Sequence, residues 1–147
     1  MTAWLLDTNV ISELRKPAPN PDVTYWVGEC ARSALFTSTV NIAEIRFGIA
    51  LQAEPVRRQV LQVWLDDLVR PMFEDRILPA TENALVHWRI LVDHAGRNRQ
   101  PAPSADLLIA AIAVVNGMPV ATRDALAFVS AGVAVLNPWT GERFNGA

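Results

Sequence analysis

Short apolar runs alternate along this chain with longer segments in which apolar residues recur every three or four positions. The apolar runs predict five strands, at residues 3–6, 34–39, 76–80, 118–123 and 133–137. The longer segments predict helices, at residues 7–15, 22–32, 40–52, 55–73, 81–97, 105–117 and 124–132. Because strands that alternate with helices are typical of a parallel sheet covered on both faces, we expect a three-layer α/β/α sandwich with a mostly parallel five-stranded sheet.

Four acidic residues occur where strands end or helices begin: Asp7, Glu44, Asp106 and Asp124. Right-handed crossovers place the carboxyl ends of parallel strands along one edge, where open α/β sheets bind ligands. Two carboxylates ~5 Å apart repel each other by roughly 3 kcal/mol at an effective dielectric constant of ~20. Four of them would need a cation, and hard divalent ions such as Mg²⁺ prefer oxygen ligands. The pattern therefore suggests metal-assisted phosphodiester chemistry.

Helix capping offers a separate explanation for each of these acids. Asp7 and Asp124 stand at cap positions, and Asp106 lies in a first turn, where the helix dipole favours an acid. Glu44 fits a capping box with Asn41 as the cap, although the apolar stretch favours an earlier helix start. Each acid is thus ambiguous alone, and their common location at one sheet edge favours the metal site.

Neighbouring polar and basic residues suggest further roles at this site. Thr8, Asn9 and Thr122 flank the acids and could orient them by hydrogen bonds. Arg46 and Arg123 could contact a phosphate group of the substrate, or could simply balance the acidic cluster.

Length and composition indicate a single-domain protein and exclude several kinds of site. A length of 147 residues is typical of one domain, here residues 1–147. No apolar run approaches the ~20 residues of a membrane span, and the N-terminus lacks a basic leader, so we expect a cytoplasmic protein without membrane contacts. The single cysteine excludes an internal disulfide and a four-cysteine zinc site.

The net charge of −2 is not typical of a nucleic-acid-binding protein, yet all basic residues except Lys16 are arginines, which suit phosphate recognition. A P-loop is excluded because GxxxxGK[ST] is absent. His87 and His94 lack metal-ligand spacing, and no serine stands in a GxSxG elbow. An aspartyl-phosphate phosphatase would need a second Asp where Asn9 stands, and a receiver domain would need a late lysine. Nothing resembles the duplex-reading elements expected of a DNA-repair nuclease.

Four segments, in order, resemble the motifs of PIN-domain ribonucleases: LLDTNVISEL, NIAEIRFGIAL, SADLLIAAIA and VATRDALAF. Within that family they are similar to VapC-type toxins of bacterial toxin–antitoxin pairs, in particular the FitB-like branch. The closing VAVLNPW is also similar to that branch, and the resemblance covers about residues 3–139. This chain departs from the family pattern at two positions. Many relatives carry Asn at the position of Asp124, and an aromatic residue near the third acid, where this chain has Leu107 and Leu108.

The resemblance implies a metal-dependent endoribonuclease that uses Mg²⁺ or Mn²⁺. Its acids fall on Asp7, Glu44, Asp106 and Asp124, all four of them catalytic, with the three aspartates as metal ligands. It also implies a homodimer, a cognate antitoxin that blocks the site, a structured RNA substrate such as tRNA, and contact with DNA only through the antitoxin. The alternative is a regulatory subunit that acts on DNA through its antitoxin and retains weak or vestigial nuclease activity.

Overall fold

The computed structural model describes residues 1–99 and 104–146. Its strands are β1 (Trp4–Leu6), β2 (Leu35–Ser38), β3 (Ile77–Leu78), β4 (Val120–Ala121), β5 (Val135–Leu136) and β6 (Arg143–Phe144). Its helices are α1 (Thr8–Leu14), α2 (Pro21–Glu29), α3 (Thr39–Ala50), α4 (Pro55–Trp64), α5 (Arg70–Phe73), α6 (Glu82–Arg97), α7 (Ser104–Val115) and α8 (Ala125–Ser130). The sequence predicts a break in the chain at PAPS, residues 101–104; residues 101–103 lie outside the described residues, as does Gln100, and Ser104 is the first residue of α7.

The strands form one sheet in the order β3-β2-β1-β4-β5-β6, and the first five are parallel. Side chains of β1 alternate between the two faces, so that Leu6 joins one apolar cluster and Leu5 the other. Helices cover both clusters, which confirms the three-layer α/β/α arrangement. β1 and β4 are neighbours at the centre, and their carboxyl ends bring Asp7 and the segment before Asp124 together.

A sixth strand adds to the five predicted. β6 pairs antiparallel with β5 after a turn in which the Gly141 N–H donates to the Asn137 carbonyl at 2.8 Å. Gly141 has a φ of 80°, a left-handed conformation that glycine adopts without strain. Two residues are too short for an alternating pattern, so the sequence did not indicate this strand.

The predicted helix 55–73 is interrupted by a wide π-helical turn at Leu65–Val69. In a regular helix the Pro71 ring would clash with the carbonyl four residues earlier, and Pro71 has no N–H to donate. The wider turn, in which the Arg70 N–H reaches the Leu65 carbonyl, accommodates the proline. Among the described residues, no helix is both long enough and apolar enough to cross a membrane.

Candidate active site

Asp7 stands at the end of β1 and is almost fully buried, with 4% of its surface exposed. Its Oδ1 atom accepts hydrogen bonds from the Thr8 N–H at 2.8 Å and from Asn41 Nδ2 at 3.2 Å. Its Oδ2 atom accepts one from the Thr122 hydroxyl at 2.8 Å. Asp7 is therefore the N-cap of α1 and also a rigidly held carboxylate, since three donors from three segments fix its orientation.

Glu44 projects from the second turn of α3 and is half-buried. Its Oε1 atom accepts a hydrogen bond from the Thr8 hydroxyl at 2.9 Å, which links it to the Asp7 segment. The capping-box interpretation is wrong, because the cap of α3 is Ser38 and the helix begins at Thr39. Glu44 thus lies inside the helix and is available to the site.

Asp106 and Asp124 complete the acidic group. Asp106 lies in the first turn of α7 and is half-buried. Asp124 precedes α8, yet its side chain makes no capping hydrogen bond and instead faces Asn9, whose Nδ2 atom donates to Oδ2 at 3.4 Å. The capping alternative for Asp124 therefore does not account for its side chain.

The pKa values show that these carboxylates share one electrostatic environment. Burial raises the pKa of Asp7 from 3.8 to about 6; hydrogen bonds from Thr122 and Thr8 oppose the rise, and the charges of Asp106 and Glu44 add to it. The pKa of Asp106 is also raised, first by burial and then by the charges of Glu44 and Asp124. Within residues 1–99 and 104–146 none of the four acids forms an ion pair with a basic side chain. The four acids therefore form a negatively charged cluster that no ion pair of the described residues neutralises.

A hydrated divalent cation fits this set of donors. In the described part of the chain, no three acidic, histidine or cysteine side chains are close enough together to hold one ion between them. Mg²⁺ commonly keeps several waters and takes only one or two protein carboxylates. The donor set therefore suits an ion that one or two acids ligate directly and the others reach through water.

The three predicted supporting residues connect the acids. The Thr122 hydroxyl donates to Asp7 and accepts from the Asp124 N–H at 3.0 Å and from Asn9 Nδ2 at 3.2 Å. Asn9 also accepts from the Arg123 N–H through Oδ1 at 3.3 Å. Thr8, through its bond to Glu44, completes a network that runs between β1, α3 and β4.

Asn41 belongs to this network and was missed from the sequence. It is fully buried, donates to Asp7 and to the Thr8 hydroxyl at 3.0 Å, and accepts a hydrogen bond from Ser38. The signal was available, since Asn41 lies three residues before Glu44 and so shares its helix face. From the sequence, Asn41 is predicted only as a possible helix cap.

A cleft of about 780 Å³ opens beside the acids. Asp106, Asp124, Arg99 and Arg123 line it with His94, and its apolar walls include Leu91, Leu107 and Leu126. Arg46, by contrast, lines a separate cavity of about 230 Å³ with Arg70. The structure thus brings Arg123 to the edge of the acidic site and does not bring Arg46 there.

Comparison with known proteins gives consistent matches. The model of the PIN domain family matches residues 4–130. Three curated relatives each align over 92% of this chain: the plasmid stability protein StbB of Pseudomonas syringae at 40% identity over 97% of its length, the toxin FitB of Neisseria gonorrhoeae at 38% over 97%, and the VapC ribonuclease Y4jK of Sinorhizobium fredii at 38% over 96%.

Two solved structures also align with most of the chain. The crystal structure of FitAcB from Neisseria gonorrhoeae has a TM-score of 0.85 at 38% identity, covering 92% of this chain and 97% of that one. The structure of FitAB bound to an IR36 DNA fragment has a TM-score of 0.84 at 38% identity, covering 92% and 94%. The similarity therefore extends over nearly the whole chain in sequence and in fold.

Proposed function

The chain belongs to the PIN domain family, in the FitB-like branch of VapC-type toxins, and from this premise we propose that it is a metal-dependent endoribonuclease and the toxin of a toxin–antitoxin pair. One observation carries the proposal most directly. Four carboxylates from four separate segments influence one another at one sheet edge, and within the described residues no basic side chain pairs with them. An arrangement this costly in charge is expected at a site that binds a cation.

In the proposed site, Asp7, Asp106 and Asp124 would hold the metal, directly or through water. When bound, a divalent ion lowers the pKa of a water molecule and stabilises charge on a phosphoryl oxygen. Thr122 and Asn41 orient the Asp7 carboxylate, and hydrogen bonds to its charged form partly offset the cost of burying it.

Glu44 would contribute by orienting water rather than by rigid ligation. Its Oε1 atom is held by the Thr8 hydroxyl, which leaves Oε2 to accept a hydrogen bond from a water molecule. Asn9 holds Asp124 at the edge of the cleft, where substrate can enter. These contacts would place carboxylate oxygens of Glu44 and Asp124 around the position of an attacking water molecule.

The proposed partners follow from the relatives. One relative is named a toxin, and its structures carry a second component, in one case bound to DNA. We therefore expect a cognate antitoxin that blocks the site, and contact with DNA only through that antitoxin. A homodimeric toxin in the cytoplasm is expected from the family resemblance and the composition of the chain. The substrate is expected to be structured RNA such as tRNA, since RNA is recognised mainly by shape and by single-stranded loops.

The test is cleavage of total RNA by antitoxin-free protein, in Mg²⁺, in Mn²⁺ and in EDTA. Wild type should give discrete cuts that require metal, and Asp7→Asn should give none. Asp67→Asn is the matched control, because Asp67 is an exposed carboxylate of the π-helical turn and does not line the cleft. This variant should cleave RNA as wild type does. Thermal melting with and without metal gives a second readout, in which metal should stabilise wild type more than Asp7→Asn.

Unchanged cleavage by Asp7→Asn would contradict the assignment of this residue. Absence of metal-dependent cuts from folded wild-type protein would instead favour the regulatory subunit that acts on DNA through its antitoxin. The two failures are distinguishable, because the first retains activity and the second lacks it from the start.

A further inference from the structure

Arg123 has a free guanidinium group at the edge of the acidic site. It lines the cleft with Asp106 and Asp124, yet within the described chain its side chain forms no ion pair, and its one hydrogen bond to Asn9 comes from the backbone. An arginine that lines the same cleft as two carboxylates and pairs with neither retains its five donors for another acceptor. Its charge also helps to lower the pKa of Glu13, although the two side chains form no ion pair.

The Arg123 side chain is held by an aromatic ring. Its guanidinium carbon lies 4.8 Å from the centroid of Trp139, which is cation–π distance. Trp139 is itself fixed, since its indole packs against the core cluster of β1 and its backbone N–H donates to Asn137 Oδ1 at 2.9 Å. Trp139 lies beyond the residues that match the PIN domain family, so this support comes from outside the matched segment.

A cationic side chain at the rim of the cleft would help RNA to bind next to the acidic site. Four carboxylates repel the phosphate backbone of RNA, and a cation at the rim of the cleft would offset part of this repulsion. A planar guanidinium binds a phosphate with two parallel hydrogen bonds, and an aromatic face that restricts its motion reduces the freedom lost on binding. Lysine could not reproduce this arrangement.

We propose that Trp139 is a positioning residue that holds Arg123 as a clamp for an RNA phosphate next to the scissile one. This inference rests on the proposed ribonuclease function and adds a phosphate subsite to it. Because a neighbouring phosphate is bound equally in the ground state and the transition state, the clamp should act on KM and leave kcat nearly unchanged.

The experiment compares four variants of the full chain: Arg123→Ala, Trp139→Leu, the double variant, and Arg143→Ala as the matched control. Arg143 stacks over Trp4 at 5.8 Å but does not line the cleft, so its removal deletes a similar pair elsewhere. Urea denaturation establishes that each variant is folded, and Trp139→Met replaces Trp139→Leu where the leucine variant is not.

Two readouts are taken: KM and kcat for Mn²⁺-dependent RNA cleavage, and the salt dependence of binding to a fluorescein-labelled single-stranded RNA in EDTA. Arg123→Ala should raise KM about ten-fold or more. It should also reduce the slope of log affinity against log salt by about 0.7. Trp139→Leu removes the aromatic face and should raise KM roughly two- to five-fold, the range of an exposed cation–π contact. It should have no further effect when Arg123 is already alanine.

An equal KM effect of Trp139→Leu in both backgrounds would overturn the positioning role, because a merely structural defect does not depend on Arg123. An unchanged salt slope in Arg123→Ala, or an equal change in Arg143→Ala, would overturn the phosphate subsite. If wild type cleaves no RNA, the proposed function fails, while the binding slopes in EDTA still decide whether Arg123 contacts phosphate.

Discussion

Replacing Asp7 by asparagine should make the metal-free protein more stable at neutral pH while it abolishes cleavage. Burial raises the pKa of Asp7 from 3.8 to about 6, so the folded state holds its proton more tightly than the unfolded state does. The resulting stability is present below pH ~4 and is lost as the pH rises through ~6. At neutral pH the ionised carboxylate therefore destabilises the fold.

The magnitude follows from the two pKa values. A rise from 3.8 to about 6 corresponds to about 3 kcal/mol of unfolding free energy, since a tenfold change in an equilibrium is about 1.36 kcal/mol. Asparagine removes this cost but presents an amide N–H to the Thr122 hydroxyl, which already accepts from Asn9 and from the Asp124 N–H. That mismatch costs about 1 kcal/mol. The net gain of Asp7→Asn should therefore be about 2 kcal/mol at pH 8.

The assay is urea denaturation in EDTA at pH 4.5, 6 and 8, with Asp67→Asn as the control for loss of an exposed carboxylate. The advantage of Asp7→Asn over wild type should be largest at pH 8 and should decline towards zero at pH 4.5. Addition of Mg²⁺ should narrow the difference at pH 8, because the ion binds the folded wild type and offsets the charge. Equal or lower stability of Asp7→Asn at pH 8, with no dependence on pH, would refute this reasoning.

Three further predictions concern the supporting structure. Asn41→Ala should lower the rate of single-turnover cleavage at least ten-fold, and should lower the free energy of unfolding by about 1–3 kcal/mol, because Asp7 and Thr8 lose a buried donor. An unchanged cleavage rate would contradict the role of Asn41. Phe128→Ala should cost about 3–5 kcal/mol in urea denaturation, because Phe128 is fully buried; a much smaller loss would show that the core collapses around the cavity. Hydrogen bonds from Lys16 and then from the Asn20 N–H lower the pKa of Glu13. Glu13→Gln should therefore destabilise the protein at pH 7 in urea denaturation, and progressively less as the pH falls below 4.5. A loss of stability that does not depend on pH would argue against a charge effect.

The sheet and the four acids were predictable because their signals are local. A strand such as residues 3–6 is a continuous apolar run, and the change from this run to helical periodicity marks Asp7. Alternation of strands and helices then fixes a parallel sheet, and the rule for crossovers places Asp7 and Asp124 at one edge. The structure agrees, since β1 and β4 are adjacent.

Features that depend on side-chain direction or tertiary space were not predicted. Arg46 is two residues from Glu44, so the two do not share a helix face, but the sequence does not show which of those faces meets the sheet edge. Asn41 resembled a cap because the sequence does not show where α3 enters the core. The stacking of Arg123 on Trp139 joins segments from two different strand ends, and only the folded sheet brings them together.

The electrostatics of Asp7 also explain how a site can favour a cation without a preformed set of ligands. The described chain presents no three ligating side chains close enough together for one ion, yet the fold buries one carboxylate among others at a cost of about 3 kcal/mol at neutral pH. A proton relieves that cost at low pH, and a divalent cation would relieve it at neutral pH, so the two compete for the same charge. In the proposed site, preference for a cation would therefore arise from the buried β1 terminus and its neighbours, and a hydrated ion would satisfy it with few direct contacts.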